Sequence, residues 1–156
     1  MKLLAGQETG EGAGALFYCP MTGNCLILKR SEEGDAANKW CGLGGGVDHD
    51  DLSLKHTVLR EAHEEAGFND ACDIHYLGKV VHPNGFVFHN HLAVVYDEFE
   101  PQLNEEHTDY CWCPYSEFEN YDMHEQMMEA LNQPKAKSIL VDQGVINNEP
   151  LMSAEE

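Results

Sequence analysis

The segment Leu52–Ala66 constrains the fold most, because it is the long stretch of this chain with clear helical periodicity. Its apolar residues recur at intervals of three and four, which places them on one side of a helix. Those residues are Leu54, Val58, Leu59, Ala62 and Ala66. Asp50, Asp51 or Ser53 can cap the start of this helix, and Gly67 follows it where a left-handed cap favours glycine.

Strand-like segments surround this helix and indicate a sheet. Short runs rich in apolar and aromatic residues, bounded by glycine, proline or asparagine, favour strands. These runs are Ala13–Cys19, Cys25–Lys29, Ile74–Val81, Phe86–Tyr96 and Tyr110–Cys113. A second helix is predicted over Asp122–Asn132, with Pro134 stopping it. One helix inserted among strands and another after them predict an α+β sandwich rather than an alternating βαβ fold.

The two ends of the chain and a glycine-rich segment before the first helix are the remaining parts of the predicted fold. Residues 1–12 are predicted to form a loop or an edge strand, and the polar segment from Gln143 a weakly ordered tail. Four glycines between positions 42 and 46 predict a glycine bend just before the helix. A chain of 156 residues is long enough for one domain spanning residues 1–156, with its core expected at about residues 13–132.

The net charge excludes several classes of partner. Nine Lys and Arg against 28 Asp and Glu give −19, a field that repels DNA and anionic membranes. The sequence has no run of 18 apolar residues and no signal-peptide core at its start, so we expect a cytoplasmic protein. The same field repels phosphate-bearing substrates. Phosphate chemistry in this chain therefore needs local positive charge, for which a bound divalent metal is the obvious candidate.

The six cysteines and nine histidines leave a zinc site open as an alternative. No Cys-x-x-Cys spacing is present, and the size and composition favour reduced, mostly buried thiols over a disulfide scaffold. Cys111 and Cys113 are two residues apart, so they share one face of a strand. With His107 nearby, these two thiols predict a zinc-binding adaptor as one alternative function.

Three carboxylates on the predicted helix, within Arg60–Phe68, give the strongest functional signal. At about 100° per residue, Glu61, Glu64 and Glu65 fall in one sector about 100° wide, beside the apolar face. Like charges at this spacing oppose helix formation, and a hard cation with oxygen ligands relieves the repulsion. Arg60 lies one turn before Glu64 and can orient it. A solvated acidic face is the ordinary alternative for such a cluster, but the glycines on both sides favour a site.

The stretch Trp40–Phe68 resembles the signature of the Nudix hydrolase family. The second half of that signature is Arg-Glu-apolar-x-Glu-Glu-x-Gly-apolar, and Arg60–Phe68 matches it at every fixed position. Upstream, Trp40–Gly45 resembles the family's Trp-x-x-Pro-Gly-Gly, with Leu43 in place of the proline. The resemblance extends loosely over residues 13–132. It implies a Nudix-type α/β/α sandwich with a mixed β-sheet, and an enzyme that hydrolyses pyrophosphate bonds.

The first half of the signature departs from the family pattern. Counting back from Arg60 without a gap puts the early glutamate of the signature at Leu52, which cannot bind metal. Counting forward from Trp40 puts it at Asp51 instead, with one extra residue before Arg60. We prefer the second alignment because it keeps a carboxylate at this position. The resemblance then implies that Asp51 is a metal ligand.

The resemblance also implies roles for the other residues of the site. Glu64 and Glu65 would be the main ligands of Mg²⁺ or Mn²⁺, with Glu61 assisting, and the backbone of Gly44, Gly45 and Gly46 would approach the substrate. The catalytic residues that the resemblance implies are Arg60, Glu64 and Glu65, together with a general base. The segment Asn104–Trp112 resembles the family's acidic loop, so Glu105 or Glu106 would be that base or a further ligand.

The substrate is implied only as a class. The resemblance implies a small nucleotide with a diphosphate linkage, such as ADP-ribose, a nucleotide sugar or a nucleoside triphosphate. Pro83 lies where ADP-ribose-cleaving relatives often carry proline, although Pro83-Asn84-Gly85 is also an ordinary turn. A catalytically silent Nudix-like nucleotide-binding module is the alternative. Homodimers are common in the family, but the sequence leaves the oligomeric state open.

Overall fold

The computed structural model describes residues 10–147 of the chain. The strands are β1 (Glu11–Cys19), β2 (Asn24–Arg30), β3 (Trp40–Cys41), β4 (Leu43–Gly46), β5 (Asp73–Val81), β6 (Val87–Val94) and β7 (His107–Cys113). The helices are α1 (Leu54–Ala66), a 3₁₀ helix (Tyr115–Asn120), α2 (Glu125–Leu131) and α3 (Pro134–Asp142).

Strand β1 lies in the interior of one mixed sheet. Strand β6 pairs with β1 in parallel, while β4 and β2 pair with successive parts of its other side in antiparallel. Strand β5 pairs antiparallel with β6, and both β3 and β7 pair antiparallel with β2. The prediction of an α+β fold with a mixed sheet is therefore confirmed.

Helices cover both faces of this sheet. Successive side chains of a strand point to opposite faces, so neighbouring residues of β1 enter different cores. Phe17 packs in the core that contains Val58 of α1. Leu16 packs in the core that contains Leu131 of α2 and Leu140 of α3. The three layers agree with the α/β/α arrangement that the family resemblance implies.

Helix α1 ends where the sequence predicts and is capped by one of the three candidate residues. Ser53 is the N-cap residue, and its side chain accepts a hydrogen bond from the backbone nitrogen of His56 at 3.1 Å. Gly67 ends the helix with φ 71°, in the left-handed region that favours glycine. The helix begins at Leu54, two residues after the predicted start, because Ser53 satisfies the first orphan amide groups.

The glycine-rich segment is a strand rather than the predicted bend. Gly44 of β4 lies against Gly14 of β1, and a β-carbon at Gly44 would lie 2.6 Å from the Gly14 α-carbon. At Gly42 a β-carbon would lie 2.5 Å from the carbonyl oxygen of Ala15. Several of these glycines therefore permit close strand contact, which the sequence alone does not distinguish from turn formation.

The C-terminal prediction is also corrected. Pro134 does follow α2, but it is the first residue of α3, where its missing N–H costs nothing and its φ suits a helix. Leu140 of α3 is fully buried, and Val145, in the segment predicted to be a weakly ordered tail, is also buried. The core therefore extends beyond residue 132.

The N-terminal prediction is corrected in part. Residues 11 and 12, predicted as loop or edge strand, belong to the interior strand β1, whereas residues 1–9 and the end of the tail from 148 lie outside the described residues. None of the helices between residues 10 and 147 is long and apolar enough to cross a membrane.

Candidate active site

Helix α1 presents three carboxylates to the edge of the sheet at β4. Glu61 and Glu65 are buried, whereas Glu64 keeps 32% of its side chain exposed. The Oε1 atom of Glu65 accepts a hydrogen bond from the backbone nitrogen of Gly44 at 3.1 Å. The structure thus brings the helix carboxylates against the glycine-rich strand.

The glycines of β4 make room for this contact. A β-carbon at Gly45 would lie 2.5 Å from the carboxyl carbon of Glu61, so no larger residue fits without moving that side chain. The carbonyl oxygen of Gly46 accepts a hydrogen bond from Nη2 of Arg60 at 2.8 Å. Gly44, Gly45 and Gly46 therefore each contact a different charged side chain of α1.

Arg60 links the carboxylates to one another. Its Nη1 atom donates to Oε2 of Glu61 at 3.0 Å and to Oε2 of Glu64 at 3.3 Å. Its Nε and Nη2 atoms donate to the two oxygens of Asp51, both at 2.9 Å. Asp48 lies at the edge of the network, 3.6 Å from Nη1. A guanidinium fork suits such bidentate pairing with a carboxylate.

Both carboxylate oxygens of Asp51 accept hydrogen bonds. Besides Arg60, it accepts a hydrogen bond from the Thr57 hydroxyl at 2.7 Å and from the backbone nitrogen of Asp48 at 2.9 Å. Burial opposes its charge, but these hydrogen bonds together with Arg60 hold the pKa of Asp51 well below its usual range. Leu52, the residue at this position in the other alignment, is 88% exposed. Of the two positions that the alternative alignments give, Asp51 is the one whose side chain binds Arg60.

The two candidates for the general base have different surroundings. Glu106 lies close enough to Glu65 to influence its charge, whereas Glu105 is exposed. Asn104 holds the loop against α1, because its side chain donates to the backbone oxygen of Glu64 at 3.1 Å and accepts from the backbone nitrogen of Glu106 at 2.9 Å. The acidic loop thus brings Glu106, and not Glu105, to the helix carboxylates.

Burial and the concentration of negative charge both act on the pKa of Glu65. Burial raises the pKa of Glu65 well above its usual value, and the neighbouring Glu61 and Glu106 raise it further. The hydrogen bond from Gly44 acts in the opposite direction. A cation bound at these oxygens would offset the repulsion and favour the charged form of the group.

The donor set fits Mg²⁺ in its chemistry. Glu61, Glu64, Glu65 and Glu106 supply carboxylate oxygens, which hard cations prefer, and the glycines leave space beside them. Over residues 10–147, however, no three His, Cys, Asp or Glu side chains already stand in a metal-binding arrangement. Two of these carboxylates instead bind Arg60, and Glu65 binds Gly44.

The same finding bears on the zinc-adaptor alternative. Cys111 lies with its Sγ atom 3.2 Å from the Tyr121 hydroxyl, and Cys113 is buried beside Cys25 on the neighbouring strand. His107 is buried and lines a separate cavity. The described part of the chain therefore places no zinc-type ligand group around these residues.

A cavity of about 570 Å³ adjoins the carboxylates through Gly44, which forms part of its wall. Its volume is in the usual range for small-molecule sites, roughly 300–1,000 Å³. Much of the wall is apolar and comes from β1, β4, the β5–β6 region and α2. The polar side chains in it are Arg30, Asp35, Lys39, His82, Asn84, Asn90, His91, His107, His124, Glu125 and Gln126.

Sequence reasoning did not place Arg30 or His124 in the site, and it considered His107 only for zinc. Arg30 ends β2, His107 begins β7, and His124 is the N-cap residue of α2. Burial lowers the pKa of His107 to about 4 and also lowers that of His124, and the positive charge of Arg30 adds to both effects. No local motif joins the three residues, because only the tertiary fold brings their elements together.

Comparisons with known proteins agree with this geometry. The model of the NUDIX domain matches residues 9–133. No curated protein matches the chain.

Three solved structures illustrate the structural similarity. An Ap4A hydrolase from C. elegans has 21% identity and a TM-score of 0.67, over 84% of this chain and 98% of the other. The NUDIX domain of Shewanella oneidensis NrtR, complexed with ADP ribose, has 19% identity and a TM-score of 0.69, over 83% and 87%. A MutT protein from Methanosarcina mazei Go1 has 25% identity and a TM-score of 0.61, over 79% and 95%.

The domain match settles the class of protein. It spans the glycine-rich strand, the carboxylates of α1 and the acidic loop that carries Glu106. The predictions of a Nudix fold and of a pyrophosphohydrolase are thereby confirmed. Because the match covers residues 9–133 of 156, this chain belongs to the NUDIX family.

Proposed function

We propose that this protein hydrolyses the diphosphate bond of a nucleotide derivative and that it uses Mg²⁺, or Mn²⁺, to do so. The observation that supports this most is the group of carboxylates from α1 and the acidic loop, which lies beside a cavity large enough for a nucleotide. An anionic chain of this charge repels such a substrate, and carboxylates that hold a divalent cation remove the conflict.

Glu61, Glu64 and Glu65 would hold the metal. When bound, the metal neutralises the diphosphate, orients it and lowers the pKa of an attacking water. Arg60 positions Glu61 and Glu64 through the hydrogen bonds at Nη1. Glu64 keeps 32% of its side chain exposed, whereas Glu61 and Glu65 are buried, so Glu64 is the carboxylate nearest the solvent.

We assign Asp51 a positioning role instead of the metal-ligand role that the family resemblance implied. Both of its oxygens bind Arg60, and Thr57 and Asp48 add further hydrogen bonds, so metal binding would break this network. Arg60 in turn acts through the carboxylates that it orients. Loss of Asp51 would therefore reduce activity indirectly.

Glu106 is the better candidate for the general base. It lies beside Glu65 and is half-buried, whereas Glu105 is exposed. In this role a carboxylate oxygen of Glu106 accepts the proton of the attacking water. The bond between the attacked phosphorus and the bridging oxygen then breaks, and the second phosphate leaves with its part of the substrate.

The size of the cavity and the related proteins support a set of candidate substrates. An Ap4A hydrolase and a domain bound to ADP ribose have this fold, so dinucleoside polyphosphates and ADP-ribose belong in the test set with nucleotide sugars and nucleoside triphosphates. The decisive experiment measures phosphate-bond hydrolysis of this panel with magnesium, with manganese and with EDTA. We expect metal-dependent release of a nucleoside monophosphate from at least one compound.

The variant Glu64→Gln tests the assignment of the site. Replacing a charged ligand by a neutral amide removes much of the metal binding, so we expect kcat to fall by about 100-fold or more while the far-ultraviolet circular dichroism stays unchanged. Glu105→Gln is the matched control, because it makes the same chemical change at an exposed residue of the acidic loop.

Two outcomes separate this proposal from the alternative. Normal hydrolysis by Glu64→Gln would show that the catalytic assignment is wrong. Nucleotide binding by the wild-type protein without hydrolysis of any compound in either metal would instead support a catalytically silent binding module.

A further inference from the structure

The cavity contains a buried positive charge that the assignments above do not use. Arg30 is only 8% exposed and lies in the cavity wall. Its Nε atom donates to the backbone oxygen of Asp35 at 2.9 Å, which fixes the plane of the guanidinium group. Between residues 10 and 147, no carboxylate lies within 4.0 Å of it. Burying a charge without a counterion is costly, so such a group points to an anionic ligand.

Lys39, the other positively charged side chain in the cavity wall, differs in this respect. Its Nζ atom lies 3.0 Å from Asp122 and 3.8 Å from Glu125, so its charge is already balanced within the protein. Arg30 is held in place by a backbone oxygen that carries no net charge. In a chain with −19 net charge, a buried cation that the fold keeps away from carboxylates is unusual.

The position of Arg30 indicates which part of a substrate it meets. Arg30 pairs with His107 across β2 and β7, and the backbone nitrogen of the next residue, Ser31, donates to the carbonyl oxygen of Glu106 at 3.0 Å. Arg30 therefore faces the end of the cavity nearest the helix carboxylates. That end is where the proposed function places the diphosphate.

Two histidines add polar groups beside Arg30. The Nδ1 atoms of His107 and His124 are buried and make no hydrogen bond to any described residue. Both side chains line the same cavity. A ligand with several oxygen atoms can satisfy these ring nitrogens together with the terminal nitrogens of Arg30.

We propose that Arg30 binds the diphosphate of the substrate, donating hydrogen bonds from its terminal nitrogens to phosphate oxygens. The assignment rests on the proposed function for the location of the diphosphate. In this assignment two positive groups balance the negative charge of the diphosphate: the metal held by Glu61, Glu64 and Glu65, and the guanidinium of Arg30. A planar guanidinium fork is well suited to phosphate oxygens.

The test measures binding without turnover, using two probes that contain a non-hydrolysable diphosphate. These are α,β-methylene-ADP and methylenediphosphonate, each titrated with magnesium present and followed by the shift in thermal unfolding temperature. We expect both probes to stabilise the wild-type protein. Arg30→Met should weaken both by about tenfold or more, and Arg30→Lys should give an intermediate affinity because it keeps the charge but loses the fork.

Lys29→Gln is the control for net charge. It also removes one positive charge from β2, but Lys29 does not line the cavity. We expect this variant to bind both probes like the wild type. If Arg30 serves only the fold, its replacement lowers the unfolding temperature without probe, while the shift that each probe causes stays as in the wild type, and the proposal is wrong.

The remaining outcomes are also decisive. A loss of affinity for α,β-methylene-ADP but not for methylenediphosphonate would place Arg30 at the base or sugar and overturn the phosphate assignment. Absence of any shift with the wild-type protein would overturn it too. Arg30-dependent binding of both probes by a protein that hydrolyses no nucleotide would support this inference while rejecting the proposed hydrolysis.

Discussion

At the scale of single residues, Arg60 shows how one side chain determines the geometry of a site. It contacts Asp51 before the helix, Glu61 and Glu64 within it, and the backbone of Gly46 on the neighbouring strand. The sequence predicted the pairing with Glu64 from helical spacing. It could not predict the pairing with Asp51, because that contact depends on how the segment before the helix folds back.

The Asp51–Arg60 pair predicts a specific effect on stability. Asp51→Asn removes a charge from a buried, hydrogen-bonded pair, so we expect the free energy of unfolding at pH 7 to fall by about 3 kcal/mol. Urea denaturation of both proteins measures the difference. Asp48→Asn is the matched control, because Asp48 is 44% exposed and 3.6 Å from Arg60, and we expect it to change stability by less than about 0.5 kcal/mol.

The pH dependence of this difference has a defined sign. The folded state holds the pKa of Asp51 below its usual range, so the stabilisation is complete above the unfolded value of about 3.9 and is lost as the pH falls from there toward the folded pKa. The gap between wild type and Asp51→Asn should therefore be constant from pH 7 to about pH 5. A gap that closes within that interval would show that Asp51 is not held by Arg60 in this way.

At the scale of elements, α3 shows what a local pattern omits. Pro134 is a correct signal that α2 has ended, but the same residue also begins the next helix, since a proline at the first position replaces no helical hydrogen bond. Leu140 and Ala136 of this helix are fully buried against the sheet. The second face of the sheet is therefore covered by more of the chain than the predicted core included.

The role of α3 in the core can be measured directly. Leu140→Ala deletes a fully buried side chain, and we expect the free energy of unfolding to fall by about 3 kcal/mol because of lost burial and the cavity left behind. Lys137→Ala on the exposed side of the same helix should change it by less than about 0.5 kcal/mol. Equal stability of Leu140→Ala and the wild type in chemical denaturation would show that α3 does not pack on the sheet.

At the scale of the whole molecule, the dominant property is the net charge of −19. In the proposed function, a nucleotide that approaches this protein would meet a repulsive field until it reached the metal held by the carboxylates and the positive charge of Arg30. Repulsion at long range is screened by salt, whereas buried contacts within the site are screened much less. The two effects can therefore be separated by ionic strength.

We expect kcat/KM for an anionic nucleotide to rise by about two- to fivefold when the ionic strength increases from about 10 to 150 mM at constant free magnesium. Steady-state kinetics with the compound that is hydrolysed fastest provides the measurement. Repeating the measurement with two different monovalent chloride salts distinguishes screening from a specific ion effect, because screening depends only on ionic strength. A fall in kcat/KM with salt would indicate that the protein attracts its substrate at long range.

The sequence by itself determined the family, the mixed α+β fold, the C-terminal end of α1 and the presence of three carboxylates on one side of it. These features depend on local spacing, and a helix places Glu61, Glu64 and Glu65 together wherever it packs. The glycine spacing also locates the segment that lies against them, but the sequence predicts a bend there and the structure has strand β4.

Only the tertiary structure decided which residues join this helix in the site. The sequence of the acidic loop does not distinguish Glu105 from Glu106 as the general base. The hydrogen bonds of Asn104 hold the loop against α1, and Glu106 lies beside Glu65. Arg30 and His124 had no motif at all, because they come from the ends of elements far apart in the chain. The physical reason is that a cavity is formed by contacts between elements, and no local pattern of residues specifies those contacts.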